Sequence, residues 1–275
     1  MAASTSHLID VPSGLEGVVA FETEIAEPDR AGGALRYRGV DIEELVGAVP
    51  FEQVWGLLVD GTFLPGLPPA VPYPLGIRSG DPRVDVQSAL ATLAPEWGFQ
   101  QLIDISDEQA RDDLARASVM ALSFGAPAAR GAGRPPVPQS DVDKARSIPE
   151  RFLIRWRGEA DPAHVKAIDA YWISAAEHGM NASTFVARVI ASTGADCAAA
   201  LSGAVGALSG PLHGGAPSRV LKMLDEVEAM GDADRWVREA LDRGDRLMGF
   251  GHRVYRAEDP RARVLRRVCR ELGSP

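Results

Sequence analysis

Cysteine is scarce in this sequence. The two cysteines among its 275 residues, Cys197 and Cys269, do not form a Cys-x-x-Cys pair. This scarcity argues against a structural zinc site and against a disulfide framework. No run of apolar residues approaches the roughly 18 that a membrane-spanning helix needs. The first fourteen residues have neither a basic start nor an apolar run. The sequence therefore predicts no signal peptide, no membrane association and a cytoplasmic location.

Several enzyme motifs are also missing. The sequence has no Gly-x-Gly-x-x-Gly loop after a strand, no Walker loop, no nucleophile elbow and no His-Glu-x-x-His pair. These absences argue against a dinucleotide cofactor, a bound nucleotide, serine nucleophile chemistry and a zinc protease site. His178, His213 and His252 are far apart in the sequence and no acidic cluster accompanies them, so their spacing gives no support for a metal site. We expect no metal and no resident cofactor.

Helix signals dominate what is present. Glycine, proline and capping residues delimit helices over 50–61, 106–125 and 161–179, the last beginning with Asp161 as N-cap and Pro162. Strand signals are few, and the clearest is a short hairpin around Gly32 and Gly33. Loops rich in proline and glycine are expected at 66–80 and 125–141. The sequence therefore predicts a mainly α fold.

Two further segments, 181–194 and 195–211, are rich in alanine, glycine and serine and lack a charged face of normal width. Such helices can approach each other closely and are buried on most sides. They are expected either at the centre of a large domain or at a homodimer interface.

The charge is distributed unevenly. The net charge is −9, which argues against nucleic acid and anionic membranes as partners. From His252 to the end, however, seven arginines face three acidic residues. This reversal suits a site for a small anionic ligand, and a solvated basic helix face explains it equally well.

Three histidines have unusual neighbours. His178 lies at the end of a predicted helix, where it can cap carbonyl groups or donate to a ligand above the helix end. His213 precedes Gly214 and Gly215 at the start of a predicted helix, an environment that favours neutral imidazole as a donor to a developing oxyanion. His252 lies in a glycine-rich turn with arginines nearby, which suits a dicarboxylate whose carbonyl is to be polarised. Incidental turn histidines and helix-capping arginines are the simpler alternatives.

These segments resemble the citrate synthase family. "LSGPLHGGAPSRVLKML" and "GFGHRVYRAEDPR" match its signature closely, and "EHGMNASTFVARVIASTGAD" resembles the segment around its helix-end histidine. The resemblance is good over 14–65 and 147–275 and poor between about 66 and 146. It implies a multi-helical homodimer with a large domain, here 1–215, and a small domain that is incomplete here, 216–275.

The resemblance also implies an activity. The family condenses oxaloacetate with acetyl-CoA to citrate and CoA, a reaction of the tricarboxylic acid cycle, by enolising the thioester. By similarity, His213 would hold the thioester carbonyl and His252 would polarise and protonate the ketone oxygen. His178, His252 and Arg261 would bind oxaloacetate. The residues implied beside CoA are Arg256, Gly249, Phe250 and Gly251.

One feature of the family is not found. Its catalytic aspartate follows the Gly-Phe-Gly-His histidine by some fifty residues, and Pro275 follows His252 more closely than that. We therefore expect a C-terminally truncated citrate synthase that is inactive as this chain, because a general base contributes roughly 10² to 10⁴ in rate. The alternatives are a 2-methylcitrate synthase, which uses propionyl-CoA, and a non-catalytic helical dimer that binds a dicarboxylate.

Overall fold

The computed structural model describes residues 19–29, 33–74, 76–250 and 258–273, and most of these residues are helical, as predicted. The α-helices within them are α1 (Ile42–Leu45), α2 (Phe51–Asp60), α3 (Pro82–Trp97), α4 (Asp107–Arg130), α5 (Gln139–Val142), α6 (Ile148–Arg157), α7 (Pro162–Ala175), α8 (Ala182–Ser192), α9 (Cys197–Leu208), α10 (Ala216–Met230), α11 (Ala233–Asp242) and α12 (Pro260–Glu271). A 3₁₀ turn, Leu102–Asp104, precedes α4.

A small antiparallel sheet precedes the helices. Its strands lie in the order β1 (Ala26–Pro28), β2 (Leu35–Tyr37) and β3 (Val40–Asp41). The predicted hairpin is present, because β1 pairs with β2, although residues 30–32 of its turn lie outside the described residues. The second turn, Arg38–Gly39, has φ of 45° and 87°, the left-handed pair that tight two-residue hairpins require.

Local capping residues set several helix boundaries. The Asp161 side chain accepts from the N–H groups of Ala163 and His164 and begins α7, as predicted. The Ser106 hydroxyl likewise accepts from the Gln109 N–H to begin α4. The sequence pattern of Ser106 and Gln109 is that of a capping box, in which the Gln109 side chain would also accept from the Ser106 N–H. The Gln109 amide instead donates to the carboxylate of Asp113.

The predicted end of a helix at Gly125 is wrong. Helix α4 continues to Arg130 and ends at Gly131, whose φ of 81° suits only glycine well. Phe124, Ala126 and Ala128 are buried along this last part of α4. Tertiary burial of these side chains therefore overrides the helix-breaking tendency of Gly125 and of Pro127.

Two apolar clusters form the core. The first joins the sheet and α1 and α2 to α7 and to Val264 of α12, and its members include Leu35, Tyr37, Ile42, Val54 and Ile173. The second joins α3 and α4 to α9, and its members include Leu90, Leu93, Met120, Phe124 and Ala198. Both ends of the described chain therefore contribute to the core that supports the candidate site residues.

Helices α10 and α11 carry large apolar side chains that are exposed to solvent. Leu221, Leu224 and Leu241 are 66, 52 and 56% exposed, whereas Ala240 between them is fully buried. By contrast, α12 packs against α7 through the buried side chain of Val264. The division of the chain at residue 215 stays a prediction. None of the helices in the described ranges is both long and apolar enough to cross a membrane.

We predict that Val264→Ala lowers the free energy of unfolding by about 2 kcal/mol, because it removes two methyl groups from a site with no solvent access. Val268 lies one turn further along α12 and is only partly buried. Val268→Ala is therefore the control and should cost clearly less in urea unfolding. Equal losses in the two variants would mean that Val264 does not anchor α12.

Candidate active site

The beginning of α8 is built around Asn181. Its side-chain oxygen Oδ1 accepts from the Thr184 N–H at 2.9 Å, which makes Asn181 the N-cap of the helix. The Ser183 hydroxyl donates to the same oxygen at 2.8 Å. One amide oxygen therefore fixes both the helix start and the position of the Ser183 hydroxyl.

This helix start brings two of the predicted histidines together. His213 Nε2 lies 2.8 Å from Ser183 Oγ and 3.4 Å from the Ser183 N–H nitrogen. On the other side, the Asn181 amide nitrogen lies 3.5 Å from His178 Nε2. Since an amide nitrogen can only donate, His178 Nε2 accepts in this contact. His178 and His213, which are 35 residues apart in the sequence, thus belong to one hydrogen-bonded chain of four side chains.

The Ser183 hydroxyl decides which nitrogen of His213 carries the proton. If the hydroxyl donates to Asn181 Oδ1, its oxygen accepts a hydrogen bond from the protonated His213 Nε2. If it rotates to donate to Nε2, the proton of neutral His213 lies on Nδ1, and the Ser183 N–H supports the same arrangement. Asn181 Oδ1 keeps its bond from Thr184 in either case. The site can therefore accommodate either tautomer, depending on how this one hydroxyl is turned.

The glycines that follow His213 serve the turn itself. A Cβ atom on Gly214 would lie 2.5 Å from the Leu208 side chain, and one on Gly215 would lie 2.5 Å from the Ser209 carbonyl oxygen. The His213 N–H donates to the Gly210 carbonyl at 2.9 Å within the same turn. The packing of α9 against this turn thus accounts for both glycines without a ligand.

Burial lowers the pKa of His213 from its ordinary value of 6.5. Desolvation penalises the charged imidazolium, so the neutral form dominates at physiological pH. The expectation of a neutral donor came from the adjacent helix N-terminus, whereas the cause that acts here is burial. A neutral imidazole with one proton is the form that can donate to a carbonyl oxygen.

His178 is held by the residue before it. The Glu177 carboxylate accepts from the His178 N–H at 2.8 Å and also from the Gly179 N–H. Burial raises the pKa of the Glu177 carboxyl, and these two bonds and the charge of Arg188 act in the opposite direction. Both donors lie in the loop that carries His178, so Glu177 closes this loop on itself between α7 and α8.

Arg261 lies at the first turn of α12. Its Nε and Nη2 atoms donate to the Asp259 carboxylate at 3.0 and 2.7 Å, and its N–H donates to the same group, which caps the helix. The guanidinium is thus oriented by its neighbour and is about one fifth exposed. Arg263, on the next face, ties α12 to Glu43 of α1 and to the Gly33 carbonyl.

The remaining predicted site residues belong to the segment 249–256, of which only Gly249 and Phe250 are among the described residues. His252, Arg256 and Gly251 lie outside the described residues. Phe250 is 73% exposed, and Gly249 has a φ of 86°, with Val220 of α10 3.2 Å from where its Cβ would be. Among the described residues, no three His, Cys, Asp or Glu side chains are grouped so that they could hold a metal ion.

Asn181 and Ser183 are the site residues that sequence reasoning missed. The sequence "NAST" before an apolar helix is a typical N-cap signal, and it stands three residues after His178. The cap itself could be predicted from this signal. The approach of the cap to His213 could not, because it depends on how α8 and α9 pack.

Comparison with known proteins identifies the family of the chain that carries this arrangement. The family model described as citrate synthase, C-terminal domain, matches residues 14–68 and 76–275. The chain belongs to the citrate synthase family. The match runs through 76–146, a stretch in which the sequence motifs alone show little resemblance. It also makes the chain a member of a family of condensing acyltransferases.

Individual relatives agree with the family model. The protein named "Putative citrate synthase 2" in Mycobacterium tuberculosis is 69% identical over 263 residues, which cover 95% of this chain and 70% of that protein. The 2-methylcitrate synthase of the same species is 35% identical over 96% of this chain and 70% of its own length. Identity at this second level is close to the 33% shared with the citrate synthase of Acidithiobacillus ferridurans.

Solved structures confirm the citrate-synthase-like fold. The citrate synthase of Thermoplasma acidophilum, solved with carboxymethyl coenzyme A and oxaloacetate, gives a TM-score of 0.78 at 25% identity, over 96% of this chain and 73% of its own. The enzyme from Thermotoga maritima gives 0.70 at 32% identity, over 94% and 72%.

We predict that His213 lowers the free energy of unfolding of the chain as pH falls. Its pKa is lower in the folded chain than the ordinary 6.5, so the unfolded state takes up a proton first as pH falls. Its contribution is complete above pH 6.5 and is lost as pH falls through the window below that value.

Urea unfolding at a series of pH values between 7.5 and 5 checks this sign. His213→Gln should lose stability less steeply over this range than the unmodified chain. His164→Gln is the control, because that histidine is exposed in the first turn of α7. A steeper loss in His213→Gln than in His164→Gln would show that the folded state favours the charged imidazole.

Proposed function

We propose that this chain carries the oxaloacetate and thioester sites of a citrate synthase, which joins oxaloacetate to acetyl-CoA to give citrate and CoA. The observation that carries the proposal is the hydrogen-bonded chain His178–Asn181–Ser183–His213 at the start of α8, in a member of this family. This hydrogen-bonded chain brings a candidate binding residue for each substrate, His178 for oxaloacetate and His213 for the thioester, to one helix end. A cytoplasmic location and a place in the tricarboxylic acid cycle stay predictions.

His213 suits the enolisation step. Removing a methyl proton from the thioester moves negative charge onto its carbonyl oxygen, and a fixed N–H donor there stabilises that charge. A donor at Nδ1 requires Nε2 to accept, which the Ser183 hydroxyl and N–H make possible. The lowered pKa keeps the imidazole neutral, so it donates one hydrogen bond without the desolvation cost of a buried cation.

The charged groups suit oxaloacetate, which is a dianion. We assign one of its carboxylates to Arg261, whose planar fork matches a carboxylate in two parallel hydrogen bonds. Asp259 holds that fork now, so binding would exchange or share the pair. By similarity to the family, His178 and His252 would contact oxaloacetate, His252 at its ketone. Arg256 and the segment 249–251 would contact CoA.

We expect the inactivity predicted from the sequence to be incomplete, so that this chain turns over slowly. A base is needed for the methyl proton, and two described carboxyls adjoin the candidate residues. Glu177 accepts from two N–H groups of its own loop, and Asp259 is paired with Arg261. Neither is free to take a proton from a thioester, and loss of a general base costs roughly 10² to 10⁴ in rate.

Thiol release from acetyl-CoA on addition of oxaloacetate tests this function, with the melting temperature measured in parallel. We expect oxaloacetate to raise the melting temperature and thiol release to be slow and dependent on oxaloacetate. Turnover at the 1–10³ s⁻¹ typical of enzymes would contradict our account of the base. The absence of both thiol release and a thermal shift would contradict the function itself.

The choice of thioester is measured in the same assay with propionyl-CoA. The identities to citrate synthases and to a 2-methylcitrate synthase are similar, so they do not separate the two activities. We propose acetyl-CoA as the substrate, and a higher kcat/KM for propionyl-CoA would reassign the chain to 2-methylcitrate synthesis. Tight oxaloacetate binding with no turnover of either thioester would favour a dicarboxylate-binding protein.

Ser183→Ala tests the role of the hydroxyl. It removes the 2.8 Å contact to His213 Nε2, and we expect kcat/KM for the thioester to fall roughly two- to tenfold, the worth of one hydrogen bond. Oxaloacetate affinity should change less. Ser192→Ala is the matched control, because that hydroxyl on the same helix bonds only to the Val189 carbonyl at the far end. Equal effects of the two variants would remove Ser183 from the site.

We also propose that α8 and α9 pair with a second copy of the chain. Although α8 is largely apolar, none of its side chains is classed as buried, and Val189 and Leu208 are 48 and 45% exposed. A folded chain rarely leaves adjoining apolar helix faces in water, so a symmetric partner surface explains them.

The oligomeric state tests this pairing. Light scattering during size-exclusion chromatography should give twice the 29.3 kDa chain mass. Val189→Glu should shift the protein towards monomer, whereas Val71→Glu, at a position that is 53% exposed before α3, should leave the dimer intact. A monomer in the unmodified protein would contradict the pairing.

A further inference from the structure

We propose that Tyr37 is a positioning residue for His178, which it holds through the end of α7. The inference rests on the proposed function, in which His178 contacts oxaloacetate. Tyr37 lies on β2, more than a hundred residues before His178 in sequence, and its side chain has no solvent access. It belongs to the first core cluster, together with Ile173 of α7.

The Tyr37 hydroxyl lies among the backbone groups that end α7. It donates to the Ile173 carbonyl oxygen at 2.7 Å and lies 3.3 Å from the Ser174 carbonyl oxygen. The Glu177 N–H donates to the same hydroxyl oxygen at 3.3 Å. One side chain thus satisfies acceptors of the last turn and a donor of the following loop, groups that a helix end leaves without partners in the helix.

These bonds fix the segment that presents His178. Glu177 is attached to Tyr37 through its backbone and to the His178 N–H through its carboxylate. The next residue, Gly179, has a φ of 90°, and Pro28 of β1 lies 3.2 Å from where its Cβ would be. The loop is therefore held between the sheet on one side and its own Glu177 carboxylate on the other.

The sheet gives Tyr37 a fixed position of its own. Tyr37 pairs with Ala26 on one side and with Val40 on the other, across the tight Arg38–Gly39 turn. Arg38 donates from Nε to the Leu58 carbonyl at 3.0 Å, which ties this turn to the end of α2. The strand therefore sets where the hydroxyl lies, and the end of α7 is hydrogen-bonded to it there.

The resulting chain of contacts is continuous. It runs from β2 through the Tyr37 hydroxyl to Glu177, and from Glu177 to His178 and on to Asn181 at the start of α8. Tyr37 touches no substrate in this scheme, and it acts on oxaloacetate only through the placement of His178. Loss of the hydroxyl should therefore change oxaloacetate affinity more than thioester affinity.

The test compares Tyr37→Phe with Tyr73→Phe. Both changes remove one hydroxyl and keep the ring. The Tyr73 hydroxyl lies 3.2 Å from Thr92 Oγ1, and its ring packs against Trp97 and Phe124 in the second core cluster. Both variants can lower the melting temperature. A loss of stability common to both is therefore distinguished from an effect on His178, which only Tyr37→Phe should show.

The first readout needs no substrate. The chain has five histidines, so their ring C–H signals are few enough to assign by NMR in the full chain. Tyr37→Phe should shift or broaden the His178 signal and leave that of His164, at the start of α7, unchanged. Tyr73→Phe should move neither. An unchanged His178 signal, or equal changes at His178 and His164, would overturn the proposal.

The second readout is oxaloacetate binding by calorimetry. Tyr37→Phe should weaken it roughly three- to tenfold, the effect of about one hydrogen bond, and Tyr73→Phe should change it less than twofold. Equal affinities in the two variants would overturn the proposal. If the unmodified chain bound no oxaloacetate, the proposed function would fail, and the His178 signal alone would decide the role of Tyr37.

Discussion

The hydrogen bond from the Thr184 N–H to the side chain of Asn181 starts α8, and the geometry of the candidate site depends on that start. Because the cap fixes the first turn, Ser183 is presented to His213 on one side while Asn181 itself faces His178 on the other. A helix cap is ordinarily worth about 1 kcal/mol of stability. Here it also joins histidines from two different connections, one before α8 and one after α9.

Burial and charge divide the chemistry between two regions. His213 lies in a partly desolvated turn, where its lowered pKa keeps it neutral. Arg261 stays charged at the start of α12, oriented by Asp259, and α12 is anchored to the sheet and α1 by Arg263. A neutral donor suits a carbonyl that becomes negative only during reaction, whereas a permanent cation suits a dianion that is charged from the start. Because the chain as a whole is negatively charged, such local cations would favour the anionic substrates of the proposed function.

Much of the fold follows from local signals in the sequence. The caps at Asp161 and Ser106 and the left-handed glycine at Gly61 place helix ends where the residues indicate them. The extension of α4 past Gly125 could not be predicted, because it depends on burial against distant helices. The same holds for the site. The histidines were recognisable from their glycine and arginine neighbours, whereas their link through Ser183 depends on the packing of α8 on α9.

The central claim is that the start of α8 presents His178 and His213 to two different substrates. A crystal structure of this chain with oxaloacetate and carboxymethyl coenzyme A tests it most directly. We expect His178 within hydrogen-bond distance of oxaloacetate, and the Nδ1 atom of His213 donating to the carboxymethyl group that replaces the thioester. Ser183 should then contact Nε2. Ligands bound elsewhere, or a His213 ring turned away from the CoA analogue, would contradict the account.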